Sequence, residues 1–167
     1  PHSASAVSVG LVNPLIGPKL NPPFMINECL MENELFFRQY ERAWGKTFYR
    51  SIPLHRVFIS QKQKNTWNEM EKNPDFSEFQ NGHRSTAHYE EMGIQAPLGA
   101  GITKNAWQLD VPRFLQASKE YLISKKAWKN SSFEMRNQQD SPKIIFCEGF
   151  RVLENPWFKD LPFAPAR

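Results

Sequence analysis

The sequence predicts an α+β domain, because its helices and strands do not follow one another as regular βαβ units. Two segments repeat apolar residues with the period of an amphipathic helix. The segments between them are rich in β-branched and aromatic residues and are interrupted by proline and glycine, which is typical of short strands. A chain of 167 residues with a hydrophobic content of 40% is long enough to bury one core.

The two helices are the clearest elements. The first is predicted to start at a cap on Asn27 and to end at about Trp44, where Gly45 is a stop signal. The second is predicted over residues 111–126, with Asp110 as its cap and a proline in its first turn. Each has one apolar face, formed by Leu30, Phe36, Phe37, Tyr40, Ala43 and Trp44 in the first helix and by Phe114, Leu115, Tyr121 and Leu122 in the second.

The strands are less sharply marked. Residues 54–59 are the better strand candidate, since Pro53 interrupts the strand-forming residues before them. A short polar helix is predicted over residues 61–72, and an irregular surface segment over residues 73–91. Residues 94–109 are expected to form one bent strand or two short ones.

The two ends of the chain differ in character. Residues 1–26 have no helical period and contain many small residues and prolines, so an extended, turn-rich segment is expected. A further strand is predicted near residues 132–135. The apolar run at residues 144–147 is too short for a helix and predicts a buried strand, which ends in a tight turn at Glu148-Gly149.

Composition narrows the partners. The formal net charge of +4 is spread along the chain without a run of about five like charges, so no nucleic-acid partner is predicted. No apolar run approaches the ~18 residues of a membrane span, and the first ten residues do not resemble a signal peptide. The two cysteines predict no disulfide framework, and a cytoplasmic location is expected.

Simple catalytic and metal motifs are not found in the sequence. His83 and His88 lie in a polar segment without a cysteine or acidic residue at ligand spacing, so no metal site is predicted. No G-x-S-x-G motif is present. Cys147 lies in an apolar run, which favours a structural role over a nucleophilic one. The segment Gly99-Ala-Gly101 lacks the remaining features of a dinucleotide-binding loop and is interpreted as a strand bend.

Three segments are informative together. SASAVSVGLVNPLIG (residues 3–17) is a small-residue segment, QLDVPRFLQASKEYL (108–122) contains a helix cap of the form Asp-x-Pro, and KIIFCEGFRVLENPWFKDLPFAPAR (143–167) contains a strand with a glycine turn. In this order they resemble the FAD-dependent oxidoreductases of the D-amino-acid oxidase and glycine oxidase superfamily. In that family the first segment passes beside the flavin, and the other two lead back to the nucleotide domain.

The resemblance implies a division of the chain. The Gly-x-Gly-x-x-Gly motif of the family and its acidic ribose-binding residue are absent, as is the C-terminal portion that commonly supplies a substrate-carboxylate arginine. Residues 21–142 would then be the substrate-binding (cap) domain, with a mixed, largely antiparallel sheet and flanking helices. Residues 1–20 would be a stub of the connection to the FAD domain. Residues 143–167 would be the returning FAD-domain strand and connection.

The resemblance also implies cofactor contacts. The residues expected along the flavin are Ser5, Ser8, Val9, Gly10 and Leu11, of which Leu11 would lie nearest the isoalloxazine, and Gly149 would approach the FAD phosphate or ribose. Substrate contacts have no match in a motif. Arg56, Tyr49 and Trp107 are candidates from their chemistry and strand position alone. For Arg56, which shares a strand face with apolar residues, a structural ion pair is the favoured alternative.

The function implied by the resemblance is oxidation of an amine or amino acid by hydride transfer to FAD, with the FAD domain of the same protein as partner. Alone, this chain is expected to be inactive and to bind FAD poorly, since the phosphate-binding helix N-terminus is missing. The alternative is a stand-alone binding or interaction module without catalysis, with Trp44, Trp107 and Trp157 in a ligand groove. The oxidoreductase hypothesis predicts exposed apolar side chains near both termini, whereas the alternative predicts that residues 144–163 pack on the chain's own core.

Overall fold

The fold is α+β, as the sequence predicts, with an antiparallel four-stranded sheet and flanking helices. A computed structural model describes residues 4–131, 143–158 and 160–162. No helix in these ranges is both long and apolar enough to cross a membrane. The helices and strands in chain order are α1 (Ala4–Val7), β1 (Leu11–Val12), α2 (Ile26–Trp44), β2 (Tyr49–Val57), α3 (Gln61–Met70), β3 (Gln80–Arg84), α4 (Thr86–Glu90), β4 (Ala100–Leu109) and α5 (Val111–Ser124), with short 3₁₀ segments at Pro74–Phe76 and Gly149–Glu154.

Strand β4 organises the sheet, because each of the other three strands pairs with it. Strand β2 runs along one edge of β4, from the pair Tyr49 and Leu109 to the pair Val57 and Ala100. Strands β1 and β3 share the other edge, β1 near the end of β4 and β3 near its beginning. Asn105 has a φ of 58° and lies where the register with β2 shifts, so β4 is a single bent strand, the first of the two alternatives expected for residues 94–109, and it begins at Ala100.

Two predictions about strands were wrong. Strand β2 begins at Tyr49 rather than at residue 54, and Pro53 lies at the register shift of an edge strand, where a missing N–H is tolerated. Strand β3 and helix α4 lie within residues 73–91, which were predicted to be irregular. The sequence of β3, QNGHR, has no apolar alternation, and pairing with β4 is what makes it a strand.

The two long helices confirm their predictions. Gly45 ends α2 with a left-handed φ of 62°, and the carboxylate of Asp110 caps α5 by accepting a hydrogen bond of 3.1 Å from the backbone of its third residue. The predicted cap at Asn27 was wrong. Met25 takes the cap position with a φ of 55° and no side-chain hydrogen bond, and the Asn27 amide donates to Glu78 instead.

A compact apolar cluster lies under the sheet at α3. Its buried members are Leu15, Leu20, Phe58, Trp67, Met70 and Phe79. A Cβ atom on Gly101 would lie 2.2 Å from the Trp67 ring, so the indole packs directly on the β4 backbone. Leu15 and Leu20 come from the segment interpreted as a connecting stub, and this segment therefore also contributes to the core.

A second cluster consists of aromatic rings between α2, the start of β2 and α5. Its ring centroids are 4.6 to 6.4 Å apart, and many pairs are tilted or edge-to-face. Members of both predicted apolar helix faces meet here, although Leu115 and Tyr121 stay 40% exposed. The cluster contains Phe36, Phe37, Tyr40, Trp44, Phe48, Tyr49, Phe114 and Tyr121.

The buried strand predicted at residues 144–147 is not formed. Residues 143–148 have no regular secondary structure, and Ile144 and Ile145 are 36% and 87% exposed. No described strand pairs with this run, so its backbone lacks the ladder that would make it a strand. Phe146 instead contacts the rings of Trp157 and Phe158 nearby in sequence. The strand predicted at residues 132–135 lies outside the described residues.

A buried carboxylate joins α2 to β2. Glu41 is 8% exposed, and its Oε1 accepts hydrogen bonds from the backbone N–H groups of Phe48 and Tyr49 at 2.7 and 2.8 Å. Its Oε2 accepts from Arg38 at 2.7 Å, and Arg38 also donates to the carbonyl of Tyr49. Burial alone would raise the pKa of Glu41, but the two backbone donors and the guanidinium outweigh it, and the pKa is lowered.

We expect Glu41→Gln to lower the free energy of unfolding by about 2–4 kcal/mol at neutral pH. The amide would turn a donor toward the Arg38 guanidinium and leave the backbone donors with a weaker acceptor. The matched control is Glu34→Gln, because Glu34 is half exposed and lies 3.8 Å from the same guanidinium. This control should change the free energy by about 0–0.5 kcal/mol. Urea denaturation of both variants measures the difference.

The same pair of proteins gives a pH dependence. Because folding lowers the pKa of Glu41, its stabilisation is complete above the unfolded value of 4.5 and is lost as the pH falls through the lower, folded value. The stability difference between wild type and Glu41→Gln should therefore shrink below pH 4.5. A difference that stays constant to lower pH would contradict a charged Glu41 at this junction.

Candidate functional site

A cleft of about 480 Å³ opens where the segment before β1 meets the start of β2, the end of β4 and the start of α5. The antiparallel pairing of β1 and β2 with opposite edges of β4 brings these distant segments together. The lining residues that have a polar side chain or belong to the predicted flavin segment are Ser8, Val9, Thr47, Tyr49, Arg50, Gln108, Asp110 and Arg113.

The close fit of the first segment against β4 depends on Gly10. Its φ is +64°, and a Cβ atom there would lie 2.0 Å from the carbonyl oxygen of Leu109. The Leu109 N–H donates to the Gly10 carbonyl at 2.8 Å. Gly10 was predicted to allow a close approach to flavin, and in the structure its missing side chain allows a close approach to β4.

Of the other residues predicted to lie along flavin, Ser8 and Val9 line this cleft, whereas Ser5 and Leu11 do not. Ser5 lies in α1 and is exposed. The hydroxyl of Ser8 accepts a hydrogen bond of 3.2 Å from the Gly10 N–H. Val9 and Leu11 are apolar but 73% and 41% exposed. The side chains of this segment are therefore small or apolar, and they are largely exposed to solvent.

The charged groups of the cleft leave a net positive charge. Arg50 and Gln108 are cross-strand partners, and the Gln108 Oε1 accepts from the Arg50 Nε and Nη2 at 3.2 and 2.6 Å. No carboxylate of the described residues lies within 4.0 Å of the Arg50 or Arg113 guanidinium. Asp110 adds one negative charge, so two arginines and one aspartate give the lining a formal charge of +1.

Tyr49 and Trp107 come together as predicted candidates, but the tyrosine hydroxyl does not face solvent. Their rings stack with centroids 4.7 Å apart and planes inclined by 3°, and the Arg38 guanidinium lies 5.5 Å from the Trp107 centroid. Tyr49 is 0% exposed, and its hydroxyl has no hydrogen-bond partner among the described residues. Burial, with a smaller contribution from the charge of Glu34, raises the pKa of Tyr49 to about 12.

Arg56 lies apart from these two candidates. It is half-buried, and its Nη2 donates to the Gly17 carbonyl at 3.4 Å. It lines a separate cavity of about 470 Å³ with Ser60 and Lys62 at the start of α3. The expected ion pair is not formed with any residue in the described part of the chain, because none of its carboxylates lies within 4.0 Å.

Gly149 has a left-handed φ of 59°, as the predicted turn at Glu148-Gly149 requires, and no heavy atom lies within 4 Å of its Cβ position. It is not among the residues that line the cleft. Both cysteines are free and exposed, so the expectation that Cys147 is buried in a strand was wrong.

Of the two histidines in the polar segment, His83 does have an acidic neighbour, because its Nδ1 lies 3.3 Å from Oε1 of Glu71. Across residues 4–131, 143–158 and 160–162, no group of three or more metal-ligating side chains could hold an ion.

The tryptophans of the alternative hypothesis lie in different ring contacts. Trp44 belongs to the aromatic cluster between α2 and α5, and its indole nitrogen is buried without a partner among the described residues. Trp107 stacks on Tyr49, and Trp157 contacts Phe146.

Comparison with known proteins identifies no family. No protein-family model matches the chain, and no solved structure matches it significantly.

Sequence reasoning missed the polar residues of the cleft. Asp110 was interpreted as a helix cap, which it is, and Arg50, Gln108 and Arg113 were not predicted as site residues. Their proximity depends on the β2–β4 register, which pairs residues 58 positions apart. The sequence did contain a signal. Arg50 directly follows Tyr49, a residue type common in strands, and Gln108 lies two residues before the helix cap Asp110.

We expect Tyr49→Phe to change the free energy of unfolding by less than about 0.5 kcal/mol, or to increase it, because it removes a buried hydroxyl without a partner. Tyr89→Phe is the matched comparison, since Tyr89 is 2% exposed but its hydroxyl lies 2.7 Å from the His55 Nδ1. That variant should lose about 1 kcal/mol. Thermal and urea unfolding of both variants give the two values, and equal losses would show that the Tyr49 hydroxyl has a partner.

Proposed function

We propose that this chain is the substrate-binding domain of an FAD-dependent oxidoreductase of the D-amino-acid oxidase type, which oxidises an amine or amino acid. The observation that carries the proposal is the cleft itself. The segment that the resemblance assigns to the flavin, Ser8 and Val9, forms one wall, and polar groups of β2 and β4 form another. Oxidation of a small molecule by flavin requires the flavin on one side of the cleft and the groups that bind the substrate on the other.

The exposed apolar side chains support the same proposal. Val7 and Val9 are 72% and 73% exposed at one end of the chain, and Ile145 is 87% exposed near the other. Both segments are those that the resemblance assigns to contacts with an FAD domain. Exposed apolar side chains at such positions are expected where another domain covers them.

The residues present fit the edge of a flavin but not its phosphates. Ser8 and Val9 offer a small and an apolar side chain along the cleft, and Leu11 beyond them is also partly exposed. The sequence contains no glycine-rich strand-to-helix turn that could bind the pyrophosphate. FAD would supply the acceptance of a hydride, and this chain would bind and orient the substrate and limit its access to water.

The proposal is tested on the protein expressed from its whole reading frame. We expect a strand followed by Gly-x-Gly-x-x-Gly upstream of residue 1, and a purified protein with bound flavin visible in its absorbance spectrum. Anaerobic addition of amines and amino acids should bleach the flavin with at least one of them. The 167-residue chain alone should not retain FAD, since it lacks the phosphate-binding turn.

A surface variant makes the test specific for the cleft edge. Val9→Asp should lower the affinity of the whole protein for FAD by about tenfold or more, because a carboxylate would face the flavin. Ile59→Asp is the matched control, since Ile59 is 74% exposed and lies away from the cleft, and it should leave flavin binding unchanged. Absence of flavin from the whole protein, or tight FAD binding by the 167-residue chain alone, would overturn the proposal.

A further inference from the structure

We propose that a second cavity, at the opposite end of β2 from the cleft, binds a phosphate dianion through Arg56 and Lys62, either as free phosphate or as a monoester of a small molecule. This cavity of about 470 Å³ lies between the segment that precedes α2 and the start of α3. None of its lining residues lines the cleft. The inference therefore goes beyond the proposed function and does not depend on flavin.

The charge of this cavity is unbalanced. Its described lining contains two cationic side chains, Arg56 and Lys62, and no acidic residue, which gives a formal charge of +2. Within the part of the chain that the structure describes, no carboxylate lies within 4.0 Å of either cation. Two like charges that line one cavity repel each other, and an anion bound between them replaces this repulsion with attraction. A phosphate dianion matches the charge of the lining.

Most of the hydrogen-bond donors of Arg56 are available to a ligand. The residue is half-buried, and its guanidinium makes one hydrogen bond to a described residue, from Nη2 to the Gly17 carbonyl. That bond is long, at 3.4 Å, and a guanidinium has five N–H donors in all. Two parallel N–H groups on one edge of the guanidinium match two oxygens of a phosphate. The backbone of Arg56 pairs with Gly101 of β4, so the sheet holds this residue in place.

Two neutral side chains of the lining add further donors. The Ser60 hydroxyl oxygen accepts a hydrogen bond of 3.3 Å from the Gln63 backbone N–H, and its own hydrogen has no acceptor among the described residues. The Gln63 Oε1 accepts from the Ile59 N–H at 3.0 Å, and both hydrogens on its Nε2 likewise have no described acceptor. Each side chain is held by the backbone through its acceptor atom, and its donor can serve a ligand. Two cations and these donors suit an anion with several oxygen acceptors.

The test uses the 167-residue chain and three probes at slightly alkaline pH and constant ionic strength. Inorganic phosphate and methyl phosphate are dianions there, and dimethyl phosphate is a monoanion. Nitrogen-15 spectra follow the Arg56 Nε–H, assigned from Arg56→Lys, and the Gly17 backbone N–H. We expect a dianion to shift both signals saturably, with a Kd on the order of 1 mM. Dimethyl phosphate should bind about tenfold more weakly, because it carries half the charge.

Variants separate this cavity from the general charge of the protein. Arg56→Gln should raise the Kd about tenfold or more, because it removes the guanidinium donors, and Arg56→Lys should raise it by less. Lys62→Gln should raise it about threefold, since Lys62 is exposed. The matched control is Arg42→Gln, which removes the same charge from an exposed position on α2 and should leave the Kd unchanged. Unfolding temperatures show whether each variant folds.

Three results would each overturn the inference: a Kd unchanged in Arg56→Gln, dimethyl phosphate bound as tightly as methyl phosphate, or signals that shift without saturation. Saturable binding of a dianion that Arg56→Gln weakens supports it. The two dianions then identify the source of the phosphate. Equal affinities indicate a phosphate monoester as the ligand, whereas binding of inorganic phosphate alone indicates free phosphate.

Discussion

The geometry of the cleft depends on the hydrogen bonds that the Glu41 carboxylate accepts. This carboxylate accepts hydrogen bonds from the backbone N–H groups of Phe48, just before β2, and of Tyr49, the first residue of β2, while Arg38 donates to the carbonyl of Tyr49. The last turns of α2 and the first residues of β2 are thereby fixed to one another. Because β2 pairs with β4 from Tyr49 onward, the same interaction sets where Arg50 stands relative to Gln108. A buried carboxylate with three donors is stable as an anion, which keeps this junction polar but satisfied.

The central strand β4 connects the start of β2 to the rest of the fold. Two places on β4 allow very close packing, and each depends on a glycine: Gly10 against the Leu109 carbonyl and Gly101 under the Trp67 ring. The first brings the exposed segment with Val9 to the cleft, and the second seats α3 on the sheet. A larger residue would be poorly tolerated at either glycine, because its side chain would collide with the backbone or ring atoms that pack there. The cleft is thus built from strands that cannot slide independently.

The sequence predicted local features well and pairings poorly. Helix α5 followed from the cap at Asp110, and the end of α2 followed from Gly45, since both depend on residues adjacent in the chain. Strand β3 could not be predicted from its polar sequence, and the strand predicted at residues 144–147 is not formed, because a strand exists only where a partner edge is available. The cleft was half predicted: Ser8, Val9 and Tyr49 were identified, whereas Arg50 and Gln108 became visible only through the β2–β4 register.

The two walls of the cleft differ in polarity: one carries an apolar side chain, and the other carries charged and polar groups. On the side of the segment before β1, Val9 is 73% exposed although it is apolar, which is unfavourable in water unless an apolar surface covers it. On the side of β2 and β4, a guanidinium is oriented by an amide and is not neutralised by a neighbouring carboxylate. Both walls are fixed to the central strand β4, one through the hydrogen bond between Gly10 and Leu109 and the other through the pairing of Arg50 with Gln108, so neither can move without disturbing the sheet.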